Sequence, residues 1–180
     1  MDFYFNPYAI LPLTSGIVCL TLGLYVFFQD RNRSIYRIFL TWCTCLFLWL
    51  LFYTVCYSTH NPKLAIHLVR LACTAVTFVS ISFYHFVISY LNLTSERKHL
   101  FPAYITALFI GIIANLHPDF MASVQPHFYG YYGTAGKLYF IPTIFFFFFT
   151  IRAFSLLLKT IRSQILSHEK QLQAKYILLA

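Results

Sequence analysis

Charge is scarce in this sequence. Of 180 residues, 10% are Asp, Glu, Lys or Arg, whereas 59% are hydrophobic. A water-soluble domain of this length needs a polar shell around one core, and a mean hydropathy of +0.69 leaves too little of it. Acids are scarcest, at five, and none falls in the middle of an apolar block, so the carboxylate pairs of acid–base chemistry are missing. No paired-histidine, zinc-protease or Gly-x-Ser-x-Gly pattern appears, and no active site is expected within these residues. Glycine is sparse too. Gly130, Gly133 and Gly136 cannot form a phosphate cradle, because Lys137 is followed by Leu138 and no strand is expected before them. The five cysteines (Cys19, Cys43, Cys45, Cys56, Cys73) lie inside apolar blocks, which indicates neither a disulfide framework nor a metal site, and no cofactor is implied. The N-terminus lacks the basic flank and cleavage site of a signal peptide.

What is present is a series of long apolar blocks, each near the roughly 20 residues of a bilayer-spanning helix. They cover about 12–28, 36–57, 64–91, 101–116 and 138–158, and a sixth begins at about 176. The fold class expected is all-α, a polytopic membrane bundle of five complete helices plus the start of a sixth. The run Phe145 to Phe149 is the opposite of the alternation a membrane β-barrel requires. Pro12 and Pro102 open their blocks in the first turn, where a missing N–H is tolerated, and Asn61-Pro62 supplies a turn. The connection Pro118 to Lys137, rich in Gly, Tyr and Pro, reads as a long loop. Tyr176 to Ala180 enters apolar sequence and stops, and a helix cannot end five residues into hydrocarbon, so the native chain is expected to continue.

The net charge of +8 orients this bundle rather than marking a nucleic-acid partner. With the N-terminus outside, ten of thirteen Lys and Arg fall on inner connections, among them Arg31, Arg33, Arg37, Arg97 and Lys98. Only Lys63, Arg70 and Lys137 remain outside. The triplets Asn32-Arg33-Ser34 and Asn92-Leu93-Thr94 are then cytoplasmic and unglycosylated.

Polar residues within spans are candidate ligand contacts, since they are costly in lipid. His67 and Arg70 lie one turn apart on the third helix, within about 9 Å of its outer end. They either snorkel to the interface or present Arg70 to an acidic ligand or to Asp119. His85 sits toward the inner end as a hydrogen-bonded packing residue or a titrating switch. Trp49 shares a helix face with Trp42, Phe39 and Cys56, most simply a packing stripe. Tyr132 belongs to the aromatic loop His127 to Gly133, whose composition suits a lid over a pocket or an interfacial anchor.

Several landmarks together resemble the N-terminal seven-helix membrane sensor region of bacterial histidine kinases and related signalling proteins. They are the basic first inner loop, Phe39 with Trp49, Arg70 through His85-Phe86, Tyr132-Gly133 before the fifth helix, and Gln173 to Ala180 approaching the sixth. The resemblance implies that residues 1–180 form a membrane sensor domain. It implies two further helices and a cytoplasmic output domain in the same full-length chain, such as a histidine kinase or diguanylate cyclase. It also implies a homodimer in the inner (plasma) membrane and a small-molecule ligand or membrane state as stimulus. Ser167-His168-Glu169 echoes a phospho-accepting box, but Lys170-Gln171-Leu172 replaces the Arg-Thr-Pro that follows there, and His168 reads as an inner-loop residue. The alternative function is a transporter or channel subunit, which would show interrupted helices and polar midplane residues.

Overall fold

Lipid offers no hydrogen bonds to a backbone, so each apolar block closes its own as a helix. The computed structural model describes residues 3–162 and contains α1 (Ile10–Gln29), α2 (Ser34–Tyr57), α3 (Pro62–Tyr90), α4 (Leu100–Leu116) and α5 (Phe140–Arg162). All five are long and apolar enough to cross a membrane. The first four bounds fall within two residues of those expected from the sequence, and α5 begins two residues later and runs to Arg162. The 17 residues of α4 would be short for a span, but the 3₁₀ segment Thr94–His99 leads straight into it, and together they supply 23. The expected sixth helix and His168 lie outside the described residues.

Local chemistry sets the helix starts. Asn61 caps α3 by accepting from the amides of Lys63 and Leu64, and Pro62 occupies the first helical position, where no N–H is needed. The α1–α2 turn is drawn in by Asp30, whose carboxylate accepts from the Asn32 amide and pairs with Arg33 at 3.2 Å. That pair is solvent-facing and contributes little.

The bundle is organised around α3, which packs against α2, α4 and α5. In its most apolar window 56% of residues are buried, compared with 6% in α2 and 11% in α1. Its sequence explains this position: Ala65, Ala72, Ala75, Ser80 and Ser82 are buried and small, and small residues let neighbouring helices approach closely. The tightest approach is to α4, where a Cβ on Gly111 would lie 2.6 Å from Cγ2 of Thr74. Beside it the Asn115 amide donates to the Thr74 hydroxyl (2.9 Å) and to the Gly111 carbonyl (2.8 Å).

The connection between α4 and α5 corrects the sequence reading. It is no open loop but a two-stranded antiparallel hairpin, β1 (Met121–His127) paired with β2 (Gly130–Ala135), preceded by a 3₁₀ turn at Pro118–Phe120. Phe128 and Tyr129 form its tip, with His127 opposite Gly130. Gly130 adopts φ +123°, a left-handed conformation, and a Cβ there would lie 2.7 Å from the Tyr57 Cα. Hence the hairpin lies directly on the α2–α3 turn. Buried Asn6 ties this end together: its amide donates to the carbonyls of Tyr57 (2.6 Å) and Tyr129 (2.9 Å). The N-terminal segment adds a bridge between Phe3 and Thr59 and a stack of Tyr4 on His60, with ring centroids 4.2 Å apart. The molecule thus has a hairpin end and, opposite, a basic end bearing the α1–α2 and α3–α4 connections.

Close packing at Gly111 yields a prediction. Gly111→Leu forces α4 off Thr74 and is expected to destabilise the bundle by about 1–3 kcal/mol, the cost of overpacking. Leu108→Ala, on the exposed face of the same helix, is expected to cost less than about 0.5 kcal/mol. Denaturant titration in mixed micelles compares the two, and equal effects would contradict this α3–α4 interface.

Candidate functional site

At the hairpin end, residues of α2, α3, the hairpin and the start of α5 border two cavities that share Tyr139. The upper, of about 310 Å³, is bounded by Tyr53 of α2, Gln125 and His127 of β1, and Tyr132 and Thr134 of β2. The lower, of about 350 Å³, is bounded by Trp49, Cys73 and Val76, and by Pro142, Thr143, Phe146 and Phe147 of α5. Helical spacing builds the lower walls. Trp49 and Tyr53 are four apart on α2 with rings 6.2 Å apart, and Tyr139, Pro142, Thr143 and Phe146 follow one stripe at the entrance to α5. Among the described residues, no hydrogen-bond partner is found for the hydroxyls of Tyr53 or Tyr132, which border the upper cavity.

The five residues singled out from sequence separate. Trp49 borders the lower cavity and Tyr132 the upper. His67 is exposed on the outer face of α3. Arg70 turns toward α4 rather than Asp119: its guanidinium donates to the carbonyls of Asn115 and Met121, each at 3.4 Å, while its buried Nε has no partner. It thereby serves the end of α4 and the start of β1, where carbonyls lack helical partners. His85, toward the basic end, shares a hydrogen bond of 3.2 Å with the Tyr104 hydroxyl, linking α3 to α4. The cleft therefore contains Trp49 and Tyr132 and leaves out His67, Arg70 and His85.

A second constellation, at the basic end, escaped the sequence reading. Glu96, in the 3₁₀ segment before α4, accepts from the buried Tyr84 hydroxyl of α3 at 2.6 Å and pairs with Arg152 of α5. Its side chain is 15% exposed and that of Arg152 41%. Three elements are thus clamped through one carboxylate. The ring of Phe149, one turn before Arg152, lies 5.4 Å from the Tyr84 ring and extends the contact. A sequence signal existed, since Arg152 interrupts the apolar run from Phe145 to Leu158. Its partner, 56 residues away, did not.

These features define a multi-pass membrane bundle with an aromatic cleft at one end and a charge clamp at the other. The chain belongs to the family described as N-terminal 7TM region of histidine kinase, whose profile matches residues 11–180, and is a membrane sensory input region. No curated protein and no solved structure matches it.

The clamp carries its own test. Because Arg152 remains partly exposed, its coupling to Glu96 is expected to be about 1 kcal/mol. Glu96→Gln, Arg152→Gln and the double variant, compared by unfolding in mixed micelles, measure it as a departure from additivity. Strictly additive losses would mean that the two residues do not act as a unit.

Proposed function

We propose that the chain perceives a small ligand in the cleft between α2, α3, α5 and the hairpin, and relays its presence along α5 to a cytoplasmic histidine kinase. The observation that carries this reading is the continuity of α5. Its first turns wall the lower cavity through Pro142, Thr143 and Phe146, and Arg152 engages the clamp six residues after Phe146, about 9 Å along the axis. A helix held by its own hydrogen bonds moves as a unit over that distance. A ligand favouring one placement of α5 over another shifts the clamp with it, and only that difference in affinity carries a signal.

The charge distribution supports an outside hairpin end and a cytoplasmic basic end in an inner (plasma) membrane. Arg31, Arg33, Arg37, Arg97 and Lys98 gather at the basic end, as the preference for basic cytoplasmic connections requires. The alternative of a transporter or channel has less support, because α1 to α5 run as continuous helices where a transport site needs interrupted ones.

A test that needs no knowledge of the stimulus fills the cleft covalently. In the full-length protein, Tyr132→Cys is reacted in intact cells with a bulky membrane-impermeant maleimide, with Ser95→Cys at the basic end as the counterpart. Tyr132→Cys is expected to label from outside and Ser95→Cys only after permeabilisation. Labelling at Tyr132→Cys is then expected to change autophosphorylation at least threefold, and adding Arg152→Gln is expected to reduce that change by half or more. Autophosphorylation indifferent to the label would reject the cleft as the sensing site, and reversed accessibility would reject the orientation.

A further inference from the structure

We infer that the cleft is built for an uncharged amphiphile, with a hydroxyl- or carbonyl-bearing head beneath the hairpin and an aliphatic or aromatic tail between α3 and α5. This rests on the sensory reading of the cleft and specifies its ligand. The two cavities differ in chemistry along one line. Around the upper one stand the phenols of Tyr53 and Tyr132, for which no partner is found among the described residues, and the Gln125 amide. Around the lower one the walls are mostly apolar, Trp49, Cys73, Val76, Pro142, Phe146 and Phe147, and the Thr143 hydroxyl there already donates to the Tyr139 carbonyl. A phenol donates to a carbonyl and accepts from a hydroxyl, so either head is satisfied, and the tail gains from leaving water. Each cavity is at the lower limit of small-molecule sites, and together they suit a ligand with two distinct ends.

Charge decides the class. Among the described residues bordering either cavity there is no Asp, Glu, Lys or Arg. His127, at the end of β1, is exposed and sits on the rim. Arg70, a nearby cation, directs its two terminal nitrogens to the carbonyls of Asn115 and Met121, and the Glu96–Arg152 pair closes on itself at the other end. A carboxylate or ammonium in the cleft would lose hydration without gaining a counter-charge, whereas an alcohol or ketone would not.

The test uses full-length protein in lipid nanodiscs and three photoreactive probes with one diazirine-bearing decyl chain, ending in an alcohol, a carboxylate or an ammonium group. Labelled peptides are identified by mass spectrometry, and labelling is normalised to each probe's partition into protein-free nanodiscs. The alcohol is expected to label the segments containing Trp49 and Phe146, to be displaced by excess decanol, and to exceed both charged probes at least tenfold. Tyr53→Phe with Tyr132→Phe, which keeps the rings and removes the hydroxyls, is expected to lower alcohol labelling at least threefold. Gln125→Lys, at an exposed position on the wall of the upper cavity, is expected to raise carboxylate labelling at least threefold by supplying the missing cation. Equal saturable labelling by a charged probe would overturn the neutral-ligand inference while leaving the sensory cleft standing. If no probe labels these segments saturably, both readings fall.

Discussion

Inside hydrocarbon a backbone amide or carbonyl has no partner but the chain itself, and this constraint orders the whole structure. It makes the five spans continuous helices, and it governs even their hydroxyls. Thr14, Thr41, Thr44, Thr54, Thr77, Thr106 and Thr143 each donate back to the carbonyl four residues earlier, so little unsatisfied polarity faces lipid. Irregular backbone is confined to the two ends. There the carbonyls that helices cannot satisfy are taken up by specific side chains, Asn6 for Tyr57 and Tyr129 and Arg70 for Asn115 and Met121. Arg70 thereby closes the end of α4 with its two terminal nitrogens.

The same constraint explains why the spans were legible in the sequence and the hairpin was not. A span announces itself by length and hydropathy, and Asn61-Pro62 even marks where α3 begins. A short surface hairpin is normally betrayed by a two-residue turn such as Asn-Gly between alternating strands. Here the tip is Phe128-Tyr129, the left-handed glycine comes one residue later, and β1 contains Pro126, which lacks an N–H. The strands hold because they rest on α2 and α3 and because Asn6 secures the tip, long-range contacts that no local pattern encodes.

Site residues divide along the same line. Trp49 and Tyr132 stood out as aromatic residues in informative positions, yet nothing in the sequence placed them within one cleft, since 83 positions separate them by their numbering. Tyr53 and Tyr139 were not distinguished among the chain's 14 tyrosines, because composition cannot say which phenols border a cavity. The tally of Lys and Arg puts Arg152 among the inner cations, an account that orients helices but is blind to its pairing with Glu96. Their significance depends on Tyr84, a buried ring whose hydroxyl fixes one oxygen of the carboxylate while Arg152 takes the other.

Cleft and clamp lie along one packing seam, the cleft at its start and the clamp beside its middle. Pro142, Phe145, Ala153, Leu156 and Leu157, all buried, form a stripe on α5 with the partly buried Phe149, and the ring contacts Tyr84–Phe149 and Phe83–Phe154 seat it on α3. Interlocked side chains do not deform continuously, so the proposed movement of α5 would exchange one set of such contacts for another. At the start of the seam the cavities border α5, and farther along the Glu96 carboxylate adds a polar contact to the apolar packing of Ala153, Leu156 and Leu157. Under the proposed relay, a few kcal/mol of preference at the cleft would redistribute the population at the clamp, which is the scale that one small ligand supplies. The scarcity of other charges among the described spans makes the Glu96–Arg152 contact the place where that redistribution would register most sharply.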